Sequence, residues 1–573
     1  MKHVLRSVLD GDLPGPFAPA SCSLASGPTM PQSGAGAGRM RGAFRRGLPA
    51  GMGALVLILS GPPTTGAVAP DPAGLQNEIR SITEAAGQEQ SRWGVHAVSL
   101  ETGVELAAID ATGLFIPASN TKLFTAALAL DRLGPEFRIR TSFYAREMPD
   151  ARGTIQGDLV LFGRGDPSFA ARFHDGWIDR ALHPLIEAVE AAGIRRIRGR
   201  LITDDSYFLT PAVGSGWEWD DLQYGYGAEV GALNAHDNMV RIHVRPGAAP
   251  GADARVYPEP GTTFLRIESR AHTGPPGSAR TLRIVRSLNG NRLLLGGSLP
   301  MDDPGFTETV AVHQPGRWLG ELLGEALTVR GIRIRQGISH RDALDRATAA
   351  APEEDWVEVA SVTSPPLRNL LAAMLRPSQN QYAQLLLLQV GALEAGAVAE
   401  FSEPLSFERA VAREAADAEG TTEAAGIRAM RRFLEEAGIP DGQVRLEEGS
   451  GLSRRHLISP AATTRLLAFM DRHPQGEVYR EALPEPGGPG TLRTRLAGLS
   501  DEHQVRAKTG YLRYSYALSG YLRTAAGERL AFSILLNNAD RAPGQPSPRE
   551  GVDRIVEALA RITWRTPAAT IEP

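Results

Sequence analysis

With 573 residues, 42% of them apolar, the chain is long enough for about three domains and can bury a large interior. A formal net charge of -4 gives no general attraction to nucleic acid, so that class of partner is excluded. One cysteine and twelve scattered histidines without an H-E-x-x-H spacing leave no basis for a disulfide framework or a zinc hydrolase, and neither metal nor cofactor is expected.

Residues 1–40 are rich in Gly, Pro, Ala and Ser with no apolar period that could build a core, and they read as disordered. Arg41, Arg45 and Arg46, the apolar run Leu48 to Ser60 and the small-residue site Ala67-Val68-Ala69 follow in the order of a secretory signal peptide. Export to the periplasm or cell envelope is therefore expected. A retained membrane anchor is the alternative, although the run falls short of the ~20 residues a span needs. The basic start lies deep in the chain, so synthesis from Met30 or Met40 is a further hypothesis, which N-terminal sequencing of the precursor tests. Cys22 lies upstream of the signal, so the mature protein would contain no thiol.

Beyond Ala69 the pattern predicts a helix over Leu75 to Gln90, then a hairpin of Trp93 to Leu100 and Val104 to Ile109 turning at Glu101-Thr102-Gly103. A helix over Ala118 to Leu133 follows, with Ser119 in its first turn and Gly134-Pro135 as its stop. From about 140 to 355, strand-like runs (Gly157 to Phe162, Ile197 to Thr203, Met239 to Val244) alternate with Gly/Pro turns around one helix near Trp177 to Ala192. Leu367 to Met470 reads as helical, with Ser459-Pro460 as cap and first-turn residue of one helix. Strands are predicted around His503 to Leu512, Tyr516 to Thr524 and Leu530 to Asn537, before an amphipathic helix near Gly551 to Ile562. Two early and three late strands suggest one antiparallel sheet closed from both ends of the chain, with helices on both faces.

Lysine occurs three times, at Lys2, Lys122 and Lys508, against 58 arginines. Arginine cannot deprotonate at accessible pH, whereas a desolvated lysine can act as a base, so a chain this averse to lysine keeps it where arginine fails. Lys122 lies in Ser119-Asn120-Thr121-Lys122, where i, i+3 helical spacing brings hydroxyl and amine together. Alone this spacing is weak, since it arises by chance about one time in six at average Ser usage. Lys508 lies in Lys508-Thr509-Gly510 within a predicted strand, where Gly510 leaves room for another backbone. Ser378-Gln379-Asn380 sits between them in the chain. The ordered set S-x-x-K, S-x-N, K-T-G is the signature of penicillin-binding proteins and class A β-lactamases.

Further stretches narrow the match: PASNTKLF (117–124), GDLVLFGRGDPS (157–168), WEWDD (217–221), GSGLSR (449–454) and ALSGY (517–521). From about residue 75 to 565 the chain resembles the low-molecular-mass class C penicillin-binding proteins, D-alanyl-D-alanine carboxypeptidase/endopeptidases in which extra domains separate the first motif from the second. Here 259 residues separate Ser119 from Ser378. The resemblance implies an α/β (α+β) penicillin-binding/β-lactamase-like transpeptidase domain, a central antiparallel sheet flanked by helices, formed by 70–140 and 356–573. Residues 141–355 would be an insertion of two smaller α+β and β domains, and 1–69 the presequence with its signal.

The family also implies roles. Ser119 would attack the carbonyl between two D-alanines and form an acyl-enzyme, with Lys122 as its base, Ser378 relaying a proton to the leaving amine, and Asn380 orienting Lys122 and the substrate amide. Backbone N–H groups of Ser119 and Tyr511 would form the oxyanion hole, while Lys508 and Thr509, beside Gly510, would hold the terminal carboxylate. Asp221 and Arg454 would grip the zwitterionic end of a diaminopimelate side chain, unless they are members of structural ion pairs. Peptidoglycan stem peptides and β-lactams are the implied partners, with peripheral association with membrane or wall; the oligomeric state is open. Three departures stand out: Tyr511 where Thr or Ser is usual, Gln384 where an acid is common, and Glu448 for the Asp before G-S-G. A β-lactamase-like hydrolase and a non-catalytic wall-binding paralogue are the alternatives. The first would need a dedicated deacylating base, and the second predicts loss of Ser119, Lys122 or Lys508, all of which are present.

Overall fold

The computed structural model describes residues 69–85, 90–342, 356–394, 420–499, 501–540 and 547–567. The presequence with Lys2 and Cys22, the alternative starts Met30 and Met40, and the signal-like segment through Val68 lie outside them.

Five strands form one antiparallel sheet in the order Glu105–Ile109, Arg92–Ser99, Arg529–Asn537, Ser515–Arg523, Arg506–Leu512. The early hairpin and the late three-strand meander join where Arg92–Ser99 pairs with Arg529–Asn537, residue for residue from Arg92 against Asn537 to Ser99 against Leu530. Period-2 alternation sends the side chains of the central strand to two cores. Leu530, Phe532, Ile534 and Leu536 face helices Pro72–Ala85 and Pro548–Ala560, packing with Leu75, Ile79, Val552, Ile555 and Leu559. Ala531, with Tyr521 of the neighbouring strand, faces the opposite core, built from helices Thr121–Leu133, Leu367–Leu375, Asn380–Glu394, Thr422–Glu436 and Pro460–Arg472. Thr121 to Leu130 are all buried, which suits a helix whose apolar residues wrap around it rather than form one stripe.

The helix ends follow local chemistry. Ser459 Oγ accepts the Ala462 amide at 3.0 Å with Pro460 in the first turn, Thr421 accepts the Ala424 amide at 3.2 Å, and Gly134 stops its helix at φ +76°. At two points the backbone departs from the sequence reading. Ala118–Asn120 is a 3₁₀ turn entered through Ala118 at φ +48°, and the α-helix starts at Thr121, so Ser119 precedes the helix. Ser378 stands at φ +67° in the tight turn between Leu367–Leu375 and Asn380–Glu394. Each left-handed non-glycine residue costs of order 1–3 kcal/mol, borne by the packing around it, and side-chain periodicity carries no sign of it. The helical run predicted to Met470 is also broken. Val444–Arg445 pairs with Leu457–Ile458, and the loop between them projects toward Ser119.

Residues 140–363 build a second five-stranded sheet, Ile338–Arg341, Leu201–Asp204, Leu159–Phe162, Arg140–Ala145, Val357–Thr363, parallel at its first three strands and antiparallel after them. Its entry strand Arg140–Ala145 and exit strand Val357–Thr363 are neighbours, so the chain leaves and returns side by side. Helices His183–Ala191 and Pro315–Val329 cover it through Leu185, Val189, Trp318 and Leu323. A three-stranded sheet, Phe306–Ala311, Met239–Arg245, Arg255–Glu259, lies beyond. Among the described residues no helix is long and apolar enough to cross a membrane.

Candidate active site

Ser119 is carried on the strained turn, and the first turn of the following helix aims Lys122 back at it: Lys122 Nζ lies 2.9 Å from Ser119 Oγ. The amine also donates to Asn380 Oδ1 and to the Ser450 carbonyl, each at 2.6 Å. Lys122 is fully buried, and loss of solvation pulls its pKa down to about 7, an effect opposed by the charge of Glu448. An amine with that pKa is substantially neutral near pH 7 and able to take the hydroxyl proton. Asn380 opens the helix Asn380–Glu394, and its Nδ2 donates to the Tyr226 carbonyl at 2.8 Å, fixing which end of the amide faces Lys122.

Lys508 is equally buried and donates to Ser378 Oγ at 2.8 Å and to the Thr509 carbonyl at 2.7 Å. Burial, and then the nearby Lys122 charge, hold its pKa well below the usual lysine range. Among the described residues the strand Arg506–Leu512 is the last in its sheet; on its outer edge the Ala507 amide donates to the Pro484 carbonyl at 3.0 Å, and no further strand pairs there, which leaves the stretch beyond Lys508 for an extended peptide. Gly510 is required there: a Cβ would sit 2.6 Å from the Pro117 carbonyl oxygen and 3.3 Å from Ala118 Cβ, inside the nucleophile turn. Asn120 ties the two segments together by donating to the Lys508 carbonyl at 3.3 Å. Thr509 donates to Thr491, 2.8 Å away, a neighbour that the sequence does not signal. The Tyr511 ring projects outward, 52% exposed, against Tyr516.

In the loop 447–456 the sequence marks Arg454 as a binding residue and Glu448 as a departure from the family pattern, without a role for the latter. Gly451, at φ +81°, packs so closely that a Cβ would lie 2.0 Å from the Ala118 carbonyl oxygen. Glu448, 1% exposed, accepts the amides of Ser450 at 2.5 Å and Gly451 at 2.6 Å, which fixes the peptide whose carbonyl meets Lys122. His456 Nε2 accepts the Glu447 and Glu448 amides at 3.2 Å each, so its proton sits on Nδ1 and is donated to Thr121 Oγ1 at 3.0 Å. Burial keeps this ring neutral by lowering its pKa. Gln384 Oε1 accepts the Gly449 amide at 2.8 Å, and its Nε2 donates to Glu423, a buried carboxylate that also accepts from Ser215. Thus the departure at Gln384 has a physical reason: an acid there would face Glu423.

Asp221 and Arg454 do not pair directly. Asp221 accepts from Tyr226 Oη at 3.0 Å, while Arg454 Nε lies 3.2 Å from Glu218 and its Nη1 donates to the Arg513 carbonyl at 3.0 Å. Burial, with the charges of Asp220 and Glu218, raises the Asp221 pKa to about 6 against the Tyr226 bond and Arg454. The two residues are near enough for the Arg454 charge to act on Asp221, which at neutral pH is largely a carboxylate beside a permanent positive charge.

Comparison with known proteins gives one consistent answer. The family model "D-Ala-D-Ala carboxypeptidase 3 (S13) family" matches residues 75–562. The chain is 32% identical over 489 residues to a D-alanyl-D-alanine carboxypeptidase of Actinomadura sp., covering 83% of each chain. It is 25% identical over 452 residues to D-alanyl-D-alanine carboxypeptidase DacB of Haemophilus influenzae, covering 78% of this chain and 86% of that one. The crystal structure of penicillin binding protein 4 (dacB) from Haemophilus influenzae superposes with a TM-score of 0.67 at 23% identity, covering 84% of this chain and 99% of that one.

Proposed function

The chain belongs to the D-Ala-D-Ala carboxypeptidase 3 (S13) family, and from that premise we propose how its residues divide the work of a serine-type D-alanyl-D-alanine carboxypeptidase/endopeptidase acting on peptidoglycan. The observation that carries the proposal is the 2.9 Å contact between Ser119 Oγ and a buried lysine amine whose pKa is drawn to about 7.

Ser119 attacks the carbonyl carbon between two D-alanines as Lys122 takes its proton. Charge on the carbonyl oxygen develops against the backbone N–H groups of Ser119 and Tyr511. Collapse breaks the peptide bond as Ser378 relays the proton taken by Lys122 to the departing amine, which leaves Lys122 neutral again, and water then hydrolyses the ester on Ser119. Asn380 keeps Lys122 on line, and Lys508 with Thr509 and Gly510 receives the terminal carboxylate along the outer edge of its strand. Asp221 and Arg454 flank the subsite for a charged stem-peptide side chain. A β-lactam mimics the scissile amide and stops at the ester.

Residues 141–355 act as an inserted region that frames this cleft, and the basic, apolar and small-residue segment ending at Ala69 directs export to the cell envelope. The test is intact-mass analysis after incubation with a penicillin, followed by peptide mapping. One adduct, on the peptide holding Ser119, is expected; no adduct, or one elsewhere, refutes the assignment.

A further inference from the structure

The buried charge around the nucleophile is unevenly balanced. Lys122 and Lys508 are both fully buried, and a positive charge on Lys122 disfavours one on Lys508. Protonation of Lys122 during attack adds a second positive charge to that pocket. The neighbours that touch the Lys122 amine, Ser119, Asn380 and the Ser450 carbonyl, are neutral. From the Arg506–Leu512 strand comes Lys508, of the same sign. From the loop come His456, kept neutral by its two amide donors, Glu447, which is partly exposed, and Glu448, which is 1% exposed. Glu423, behind Gln384, is a further buried acid among the described residues, and burial raises its pKa.

We propose that Glu448 is a positioning and charge-balancing residue of the reaction, one that acts through Lys122 by holding the Ser450 peptide on the amine and by supplying the fixed negative charge that lets Lys122 accept the Ser119 proton. The inference rests on Lys122 being the base. Its geometric ground is the short path from carboxylate to amine. Glu448 takes the Ser450 and Gly451 amides at 2.5 and 2.6 Å, and the Ser453 amide at 3.4 Å. The carbonyl of that same Ser450 takes the Lys122 amine at 2.6 Å. The peptide dipole thus lies between the two charges, amide end toward the carboxylate and carbonyl end toward the ammonium, an orientation that favours both. Glu448 also raises the Lys122 proton affinity, against the larger effect of burial. In the resting enzyme burial keeps the base free; in the transition state Glu448 stabilises the ammonium that forms.

The scarcity of lysine makes a direct test practical. Protein grown on ¹³C,¹⁵N-lysine carries labelled side chains at Lys122 and Lys508, with Lys2 besides only where the presequence is retained, so the Lys122 titration can be followed by NMR and assigned with Lys122→Arg. In Glu448→Gln the titration should move down by about one pH unit, the acid limb of the penicillin-acylation profile should move with it, and the plateau rate should fall about threefold because the base is weaker. Glu448→Asp, which withdraws the same charge by one methylene, should give a smaller downward shift, and it carries the test if the Gln variant does not fold. Thr125→Val removes the Thr125 Oγ1 bond to the Gly449 carbonyl at 2.7 Å, loosening the loop without changing its charge, and should leave the Lys122 titration in place. An unmoved titration in the Glu448 variants, or an equal shift in Thr125→Val, overturns the inference. If instead the wild-type acylation rate fails to follow the Lys122 titration, the assignment of Lys122 as base has failed, a separate outcome.

Discussion

Replacing Lys122 and Lys508 by arginine separates a lysine used as a base from one used as a charge. Both amines are fully buried and each holds a serine hydroxyl, Lys122 that of Ser119 at 2.9 Å and Lys508 that of Ser378 at 2.8 Å. With a pKa of about 7, Lys122 would be roughly one-tenth neutral at pH 6 and nine-tenths neutral at pH 8. Wild-type acylation by a fluorescent penicillin should therefore rise about tenfold over that interval, the active form being present above the pKa and lost below it. Arginine has no neutral form to offer, so Lys122→Arg should slow acylation about 10³-fold, the middle of the range for losing a general base, and should flatten this rise. The larger guanidinium also overpacks a closed slot at roughly 1–3 kcal/mol, which a thermal melt would register independently of the rate. Lys508→Arg keeps the positive charge and should lose less, though its planar head disturbs the contacts to Ser378 and Thr509. Stopped-flow acylation across pH 6 to 8 gives all of these quantities. Equal losses in the two variants, a larger loss at Lys508, or a wild-type profile flat across pH 7 would show that the Ser119 proton leaves by another route.

Ser119→Ala should abolish both penicillin labelling and D-alanine release with a melting temperature within a few degrees of wild type, because the 3₁₀ turn carries no side-chain cap bond to lose. Gly510→Ala drives a Cβ into the Pro117 carbonyl oxygen and should cost at least about tenfold in acylation rate through displacement of the nucleophile turn, read by the same fluorescent assay. Gln384→Glu places a second carboxylate against buried Glu423, so the pair must share a proton and its pKa rises above the unfolded value. Its stability should be close to wild type at low pH and fall as pH rises toward 8, measured by thermal melts across pH 5 to 8. Arg454→Ala should raise KM about tenfold or less for peptides with a charged diamino-acid side chain while leaving penicillin acylation unchanged, since Arg454 touches Glu218 and Arg513 rather than Ser119 or Lys122.

Strands and motif residues were legible because they carry short apolar runs bounded by turns, or rare residue types. The hairpin, the late meander and their joining into one sheet follow from runs such as Leu530 to Leu536, which is buried on both faces, and the two lysines from their scarcity. What escaped notice acts through backbone or through a distant partner. The carbonyls of Ser450 and Tyr226 meet Lys122 and Asn380, and a carbonyl belongs to every residue type alike. The positive φ at Ala118 and Ser378 is imposed by tertiary packing, on residues with no special liking for it. Glu448 was visible only as a departure from a family pattern, and its role depends on a fold that brings it beside a lysine more than 300 positions earlier.

The long segment between the first two motifs has a mechanical bearing on the chemistry, which follows from where the helix Asn380–Glu394 finds its partners. Asn380 donates to the Tyr226 carbonyl, Gln381 to Asn234, Tyr382 to the Pro167 carbonyl and Asp237, and Gln389 to the Arg164 carbonyl. All four polar side chains are buried, so depriving any one of them of its partners would leave an unpaired group at a cost of about 1–3 kcal/mol. These bonds fasten one side of the helix to residues 164–237, while Leu386, Leu387 and Val390 fasten the other to the core containing the nucleophile helix. The segment that frames the cleft therefore also sets the position of Asn380, and hence the aim of Lys122 at Ser119.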